Sequence, residues 1–298
     1  LKNERPAAGS SRRPFPSEIL AAIERHKAED LIRQQQQGLG RPLVSMKMGG
    51  QQIIAAGDTL YHSPKWKTVP DFLSDYLRTI LGGEWGNAEI KKPLSERHPV
   101  LQWYNEYCHF QRSMPGAPDE IKSAPMTGVV YCYLGLAYSL FLLKHNVELQ
   151  DRLIKRLKDP ANFQGAYYEL IVANSLIRAG FELVLENETD RLTKHCEFSA
   201  VSKRTRKKYW VEAKMRSVVG VLGKTENDGT KKADATSELI KHLNAALKKP
   251  AADERLIFID LNTEPYDGKT TPVWIERAGQ KLEAREKELA SGQQVSSE

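Results

Sequence analysis

The chain has 298 residues, 40% of them hydrophobic, enough for one large domain or two ordinary ones around real cores, which argues against global disorder. A formal net charge of +6 favours a polyanionic partner only weakly, because many basic proteins bind no nucleic acid. Three widely spaced cysteines, Cys108, Cys132 and Cys196, form no CxxC pair and no Cys/His zinc spacing. That excludes a disulfide framework or structural zinc site as an expectation and fits a reducing, cytoplasmic compartment.

Residues 1–16 are polar, contain Pro6, Pro14 and Pro16 and carry no apolar signal core, so they are expected to form a flexible arm. A helix follows from Ser17 to about Gln37 and ends at Gly38-Leu-Gly40. Short β-like pieces lie in 42–61 around Gly49-Gly50, and helices are expected near 69–82, 97–113 and 127–157. The run Thr127–Leu143 is uncharged but short for a bilayer and interrupted by polar residues. It predicts a buried core helix, with no membrane partner. Residues 17–157 therefore form a mainly helical N-terminal domain, suited to shaping access to a site or to contacts with a second copy or another protein.

Asp159-Pro160 breaks the helical pattern. Beyond it come a helix at 161–179 with Gly180 as its cap and a strand at 181–186. Two alternating segments follow, His195–Ala200 and Tyr209–Met215, then a helix at 233–248 and a buried strand at 256–261. The order α-β-β-β-α-β predicts a layered α/β domain over 158–276, followed by a charged helix and polar tail at 277–298.

The chemistry concentrates on the two alternating segments. Period-two alternation puts Cys196, Phe198 and Ala200 on one face of the first, with Glu197 and Ser199 on the other. In the second, Trp210, Glu212 and Lys214 share a face opposite Tyr209, Val211, Ala213 and Met215. Two carboxylates and an ammonium on one sheet face suit a divalent ion and a phosphodiester; they equally suit an ion pair on a wet sheet. Glu169 flanks the apolar stripe Ala166, Leu170, Ala173 and Ile177 of the preceding helix. It faces the sheet in part or snorkels to solvent. Glu89-Ile-Lys91 and Glu120-Ile-Lys122 repeat the Glu-x-Lys tripeptide in helical surroundings and are expected to be surface charge.

Basic residues crowd the connection between the two segments: Lys203, Arg204, Arg206, Lys207 and Lys208. Lys224, Lys231, Lys232, Lys241, Lys248 and Lys249 follow. They form a solvated face or, beside a carboxylate–lysine site, a surface for nucleic-acid phosphates. Trp210 has two available roles, stacking a base or packing a rim. His195 lies in line with Glu197, within reach of a phosphate or simply at the surface.

The order helix-Glu169, strand, strand-Glu197, strand-Glu212-Ala213-Lys214, helix, strand resembles the PD-(D/E)xK nuclease superfamily, the restriction-endonuclease-like fold, over residues 160–265. Glu197 stands where that family more often carries Asp, and residues 1–157 take no part in the resemblance. What the resemblance implies is a metal-dependent nuclease acting on nucleic acid, DNA favoured over RNA. Glu197, Glu212 and the Ala213 carbonyl would hold Mg²⁺ or Mn²⁺, and Glu169 would bind a second ion or a metal-bound water. The ion would activate a water, which Lys214 would orient while offsetting charge on the phosphate, leaving 5′-phosphate and 3′-hydroxyl ends. Restriction or anti-phage defence is the expected setting. The alternative is a catalytically silent nuclease-fold module that binds nucleic acid or assembles with partners.

Overall fold

The computed structural model describes residues 17–117, 120–185, 197–216, 234–263 and 268–291. The expected arm at 1–16 lies outside them, as do Lys224, Lys231, Lys232, His195 and Cys196. The chain divides into two compact units, residues 1–39 and 40–298. In the first, α1 (Ser17–Gln37) is a mostly exposed helix. Its Asp30 accepts from Arg33 Nε at 2.9 Å and Gln34 Nε2 at 2.9 Å, pairs at the three- and four-residue spacings that meet on a helix surface.

The second unit opens with a three-stranded antiparallel meander, β1 (Val44–Met48), β2 (Gln51–Ala56) and β3 (Thr59–Ser63). Gly49 and Gly50 both have positive φ, the demand of a two-residue hairpin. Gly57, in the next turn, has φ 63° and passes so close to α5 (Gly128–Asn146) that a Cβ there would lie 2.7 Å from the Lys144 carbonyl oxygen. Only glycine fits.

Helix α5 is apolar around most of its circumference and is the core of this unit. It packs against α2 (Val69–Leu81), α4 (Pro99–Ser113) and β2, with α3 (Gly83–Ile90) bridging α2 and α4. Phe72 and Tyr76 of α2 meet the Phe141 ring edge-on at 5.6 and 6.1 Å. Thr127 Oγ1 caps the helix start by accepting from Val130 N. Among the described residues α5 is the one helix long and apolar enough to cross a membrane, and more than half of its apolar stretch is buried by protein.

The expected single helix at 127–157 is two: α5 ends at Asn146, and α6 (Asp151–Lys158) begins after a short break. The cause is long-range. His145 Nδ1 accepts from Gly57 N at 3.2 Å, His145 Nε2 lies 2.8 Å from the Pro42 carbonyl oxygen, and Asn146 Oδ1 accepts from Arg41 N at 2.8 Å. These contacts fasten the helix end to residues 41–57. Glu89, expected at the surface, is buried. It accepts from His98 N at 2.9 Å and pairs with Lys92 Nζ at 2.6 Å, closing the turn between α3 and α4.

The remaining elements follow the α-β-β-β-α-β order: α7 (Phe163–Arg178), β4 (Phe181–Leu185), β5 (Phe198–Ser202), β6 (Lys208–Met215), α8 (Leu239–Leu247) and β7 (Glu254–Asp260). The sheet order is β4-β5-β6-β7, antiparallel except for the parallel β6–β7 pair, whose connection carries α8. The fold is thus mixed α/β. Helix α7 covers β4 and β6 with one side and touches α5 and α6 with the other, so the core continues across residue 157 without a break. The last helix, α9 (Val273–Ala290), is longer than the expected 277–290 and packs on α8. Lys281 Nζ donates to Thr236 O and Oγ1 at 3.0 and 2.9 Å.

Candidate active site

The β5–β6 pair places the charged residues. Phe198 lies opposite Val211, and Glu197 N donates to the Val211 carbonyl at 3.1 Å. Glu197 therefore sits just before β5 begins rather than inside a strand, and close to Glu212 across the pair. Glu212 belongs to the middle of β6, flanked by β5 and β7, and its side chain has no exposed surface. Two residues on along β6, on the same face, Lys214 projects beside it.

Lys214 Nζ stands 2.8 Å from Glu212 Oε2 and 3.1 Å from Glu197 Oε1. A second ammonium completes the cluster. Lys249 Nζ lies 2.8 Å from Glu212 Oε1 and 3.4 Å from Glu197 Oε1, and its side chain is only 18% exposed. Both contacts to Glu212 are close but miss the angles of directed hydrogen bonds, so its two oxygens are buried with charge partners alone. Lys249 is held by its backbone: Arg255 on β7 donates to the carbonyls of Leu247 and Lys249, just past the end of α8.

Glu169 lies on α7 and is largely buried, as its place beside the apolar stripe implies. Its Oε2 pairs with Arg156 Nη1 of α6 at 2.5 Å. Burial raises its pKa above the usual carboxylate range, and the negative charge of Glu197 adds to this against the pull of Arg156. Burial also presses Glu197 towards protonation, but the Lys214 and Lys249 ammonium groups outweigh it and hold its pKa down. For Lys214, burial favours the neutral amine; the Glu197 and Glu212 carboxylates more than offset it and raise its pKa. The site thus holds charged, water-poor groups whose states depend on one another.

Glu169, Glu197, Glu212 and Lys214 are brought into one electrostatic neighbourhood, with Ala213 between the last two on β6. The basic connection is not. Lys203, Arg204 and Arg206 form the turn between β5 and β6, with Arg206 in the left-handed region at φ 58°. From Lys207 to Glu212, five residues at about 3.3 Å each put the turn roughly 17 Å along the strand from the buried carboxylate. Lys207 pairs with Glu254 at 2.5 Å, Arg206 reaches Glu182 at 3.7 Å, and Lys208 lies 4.4 Å from the Trp210 ring centroid. Trp210 Nε1 donates to Asp253 at 3.2 Å, which fixes the ring at the sheet rim. Lys241 is exposed on α8 beside Glu238. Lys249, expected on a phosphate-binding surface, instead reaches into the carboxylates. Lys248-Lys249-Pro250 reads in sequence as an exposed helix end, and its only pointer was proximity to the last strand.

The donor set suits a hard divalent ion, since it offers carboxylate oxygens, two of them on a buried residue without a directed hydrogen bond. The charge balance is another matter. Three carboxylates face Lys214, Lys249 and Arg156, so the cluster is neutral as arranged. Among the described residues no group of three or more His, Cys, Asp or Glu side chains converges closely enough to hold a metal ion. Comparison with protein-family models, with curated proteins and with solved structures gives no match in any of the three.

Proposed function

We propose that the chain is a Mg²⁺- or Mn²⁺-dependent nuclease of the PD-(D/E)xK kind, acting on nucleic acid with DNA favoured. The observation that carries this is Glu212, a carboxylate with no exposed surface in the middle of a sheet, 2.8 Å from each of two ammonium groups and beside a second carboxylate. Burying an ionised carboxylate is costly, and replacing such a cluster by apolar residues is often neutral or stabilising. A site retained for its chemistry accounts for the arrangement better than stability does. The resemblance in element order and in the Glu169, Glu197, Glu212, Lys214 set points the same way.

In this reading Glu197 and Glu212 bind the ion, with the Ala213 carbonyl as a further oxygen donor. A divalent ion, when bound, supplies Lewis acidity to a phosphate and lowers the pKa of a water. Lys214, kept protonated by its two carboxylates, orients the nucleophile and opposes negative charge growing on the phosphate. Glu169 is steered by Arg156 and serves a second ion or an ordered water. Restriction or anti-phage defence is the proposed setting, in a cytoplasmic protein whose N-terminal helices shape access or meet a partner.

Cleavage of single- and double-stranded DNA and of RNA with each divalent ion tests the proposal. Glu212→Ala and Lys214→Ala should each lower the rate by about 10²–10³-fold, the effect of removing one preorganised electrostatic group. Cleavage by both variants at the wild-type rate would sink it. The neutral cluster specifically favours a second reading, a nuclease-fold module that binds nucleic acid without turnover. Calorimetric titration of metal separates the two, because the silent module shows no uptake that depends on Glu197 and Glu212.

A further inference from the structure

Lys249 is the one member of the cluster that the nuclease reading leaves without a role. Its ammonium lies between two carboxylates, 2.8 Å from one Glu212 oxygen and 3.4 Å from a Glu197 oxygen. Lys214 contacts the other Glu212 oxygen and the same Glu197 oxygen. Glu212, wholly buried, needs positive charge on both sides as long as no ion is present.

The two lysines differ in how they are held. Lys214 is built into β6, paired with Ile259 of β7, and its side chain leaves the sheet on the same face as Glu212. Lys249 arrives from the chain between α8 and β7, anchored by its carbonyl to Arg255 and by its N–H to the Ala246 carbonyl, and reaches the carboxylates on a four-carbon stem. An ammonium on such a stem can leave the carboxylates without any strand moving. Lys214 has the same stem but holds Glu197 more closely, at 3.1 Å against 3.4 Å for Lys249.

We propose that Lys249 is the resident counter-cation of the metal-free site, and that a divalent ion binds by displacing its ammonium from Glu212 and Glu197. This rests on the nuclease reading of the site. It makes metal affinity a competition: Lys249 supplies positive charge beside the buried Glu212 carboxylate without metal and has to leave it when metal arrives. A neutral cluster holds a dication poorly. Removing one ammonium leaves a net negative charge.

The test is calorimetric titration of Mn²⁺ into the full chain without nucleic acid, comparing wild type with Lys249→Met, Lys249→Gln, Lys248→Met and Glu212→Gln. Lys249→Met and Lys249→Gln should bind Mn²⁺ about tenfold more tightly than wild type, given the strength of charge interactions at this range. Lys248→Met, which removes the same charge one residue away, should match wild type. Thermal unfolding gives an independent readout: both Lys249 variants should melt lower without Mn²⁺ and gain more from it than wild type does. If the variants are unfolded without metal, Mn²⁺ should fold them, and failure to do so overturns the proposal. Wild-type affinity in both Lys249 variants, with binding lost in Glu212→Gln, also overturns it while leaving the metal site intact. No Mn²⁺ binding by wild type or by either Lys249 variant removes the metal reading and this inference together.

Discussion

His98 is 2% exposed, wedged between the rings of Trp85 and Phe163 at 5.2 and 4.8 Å. Its Nδ1 accepts from Val100 N, and its Nε2 is buried without a hydrogen-bond partner among the described residues. Burial lowers its pKa to about 4, with Glu89 pulling the other way and Lys92 adding to the fall. A depressed histidine contributes stability above its unfolded pKa of 6.5 and loses it as pH falls towards the folded value. The whole shift corresponds to about 3 kcal/mol, of which about 2 kcal/mol should disappear between pH 7 and pH 5. Urea unfolding at the two pH values checks this against His98→Gln, which should flatten the dependence. A variant with the same slope as wild type would acquit His98. No periodicity or motif announced this residue: a histidine ahead of a helical proline reads as surface. Glu89 escaped for the same reason, since the bond that buries it comes from the backbone of residue 98.

Helices and strands were legible where their own side chains decide them. Alternation in β6 gave the face shared by Glu212 and Lys214, and the stripe on α7 turned Glu169 inward. The failures came where distant residues decide. The break between α5 and α6 depends on His145 and Asn146 binding residues 41–57, and Lys249 enters the site through an anchor on β7. Arg156 belongs with these. It sits on an amphipathic helix among Lys155 and Lys158, indistinguishable in sequence from surface charge, yet it pairs with Glu169. Arg156→Met should leave that carboxylate without its partner and raise its pKa further. A carboxyl whose folded pKa is raised favours the fold below its unfolded value, and that contribution is lost as pH rises through the folded pKa. The variant should therefore lose about 2 kcal/mol at pH 7, less than a fully buried pair because Arg156 is 29% exposed, and clearly less at pH 4.5. Denaturant unfolding at both pH values decides it. Equal losses would mean that Arg156 acts by packing and not through Glu169.

At the scale of the whole molecule, the carboxylate–lysine cluster and the basic turn lie at opposite ends of one strand pair. A ligand that touches both must span roughly 17 Å, about five nucleotide steps at 3.4 Å each. A small phosphodiester at Glu212 would never meet the turn. Lys203 and Arg204 are exposed and make no ion pair among the described residues, in contrast to Lys207 beside Glu254, so they have the most to offer a phosphate backbone. Lys203→Glu combined with Arg204→Glu should weaken binding of a duplex or a long single strand at every sequence. The dependence of log affinity on log salt should become shallower by about 1.8 if each residue meets one phosphate of a B-form duplex. Hydrolysis of a chromogenic phosphodiester too short to reach the turn should proceed at the wild-type rate. Unchanged long-strand affinity would show that the path of the nucleic acid avoids this end of the sheet. Loss on the short ester would instead mean that the turn supports the cluster through the strands, and the distance between them would no longer separate binding from chemistry.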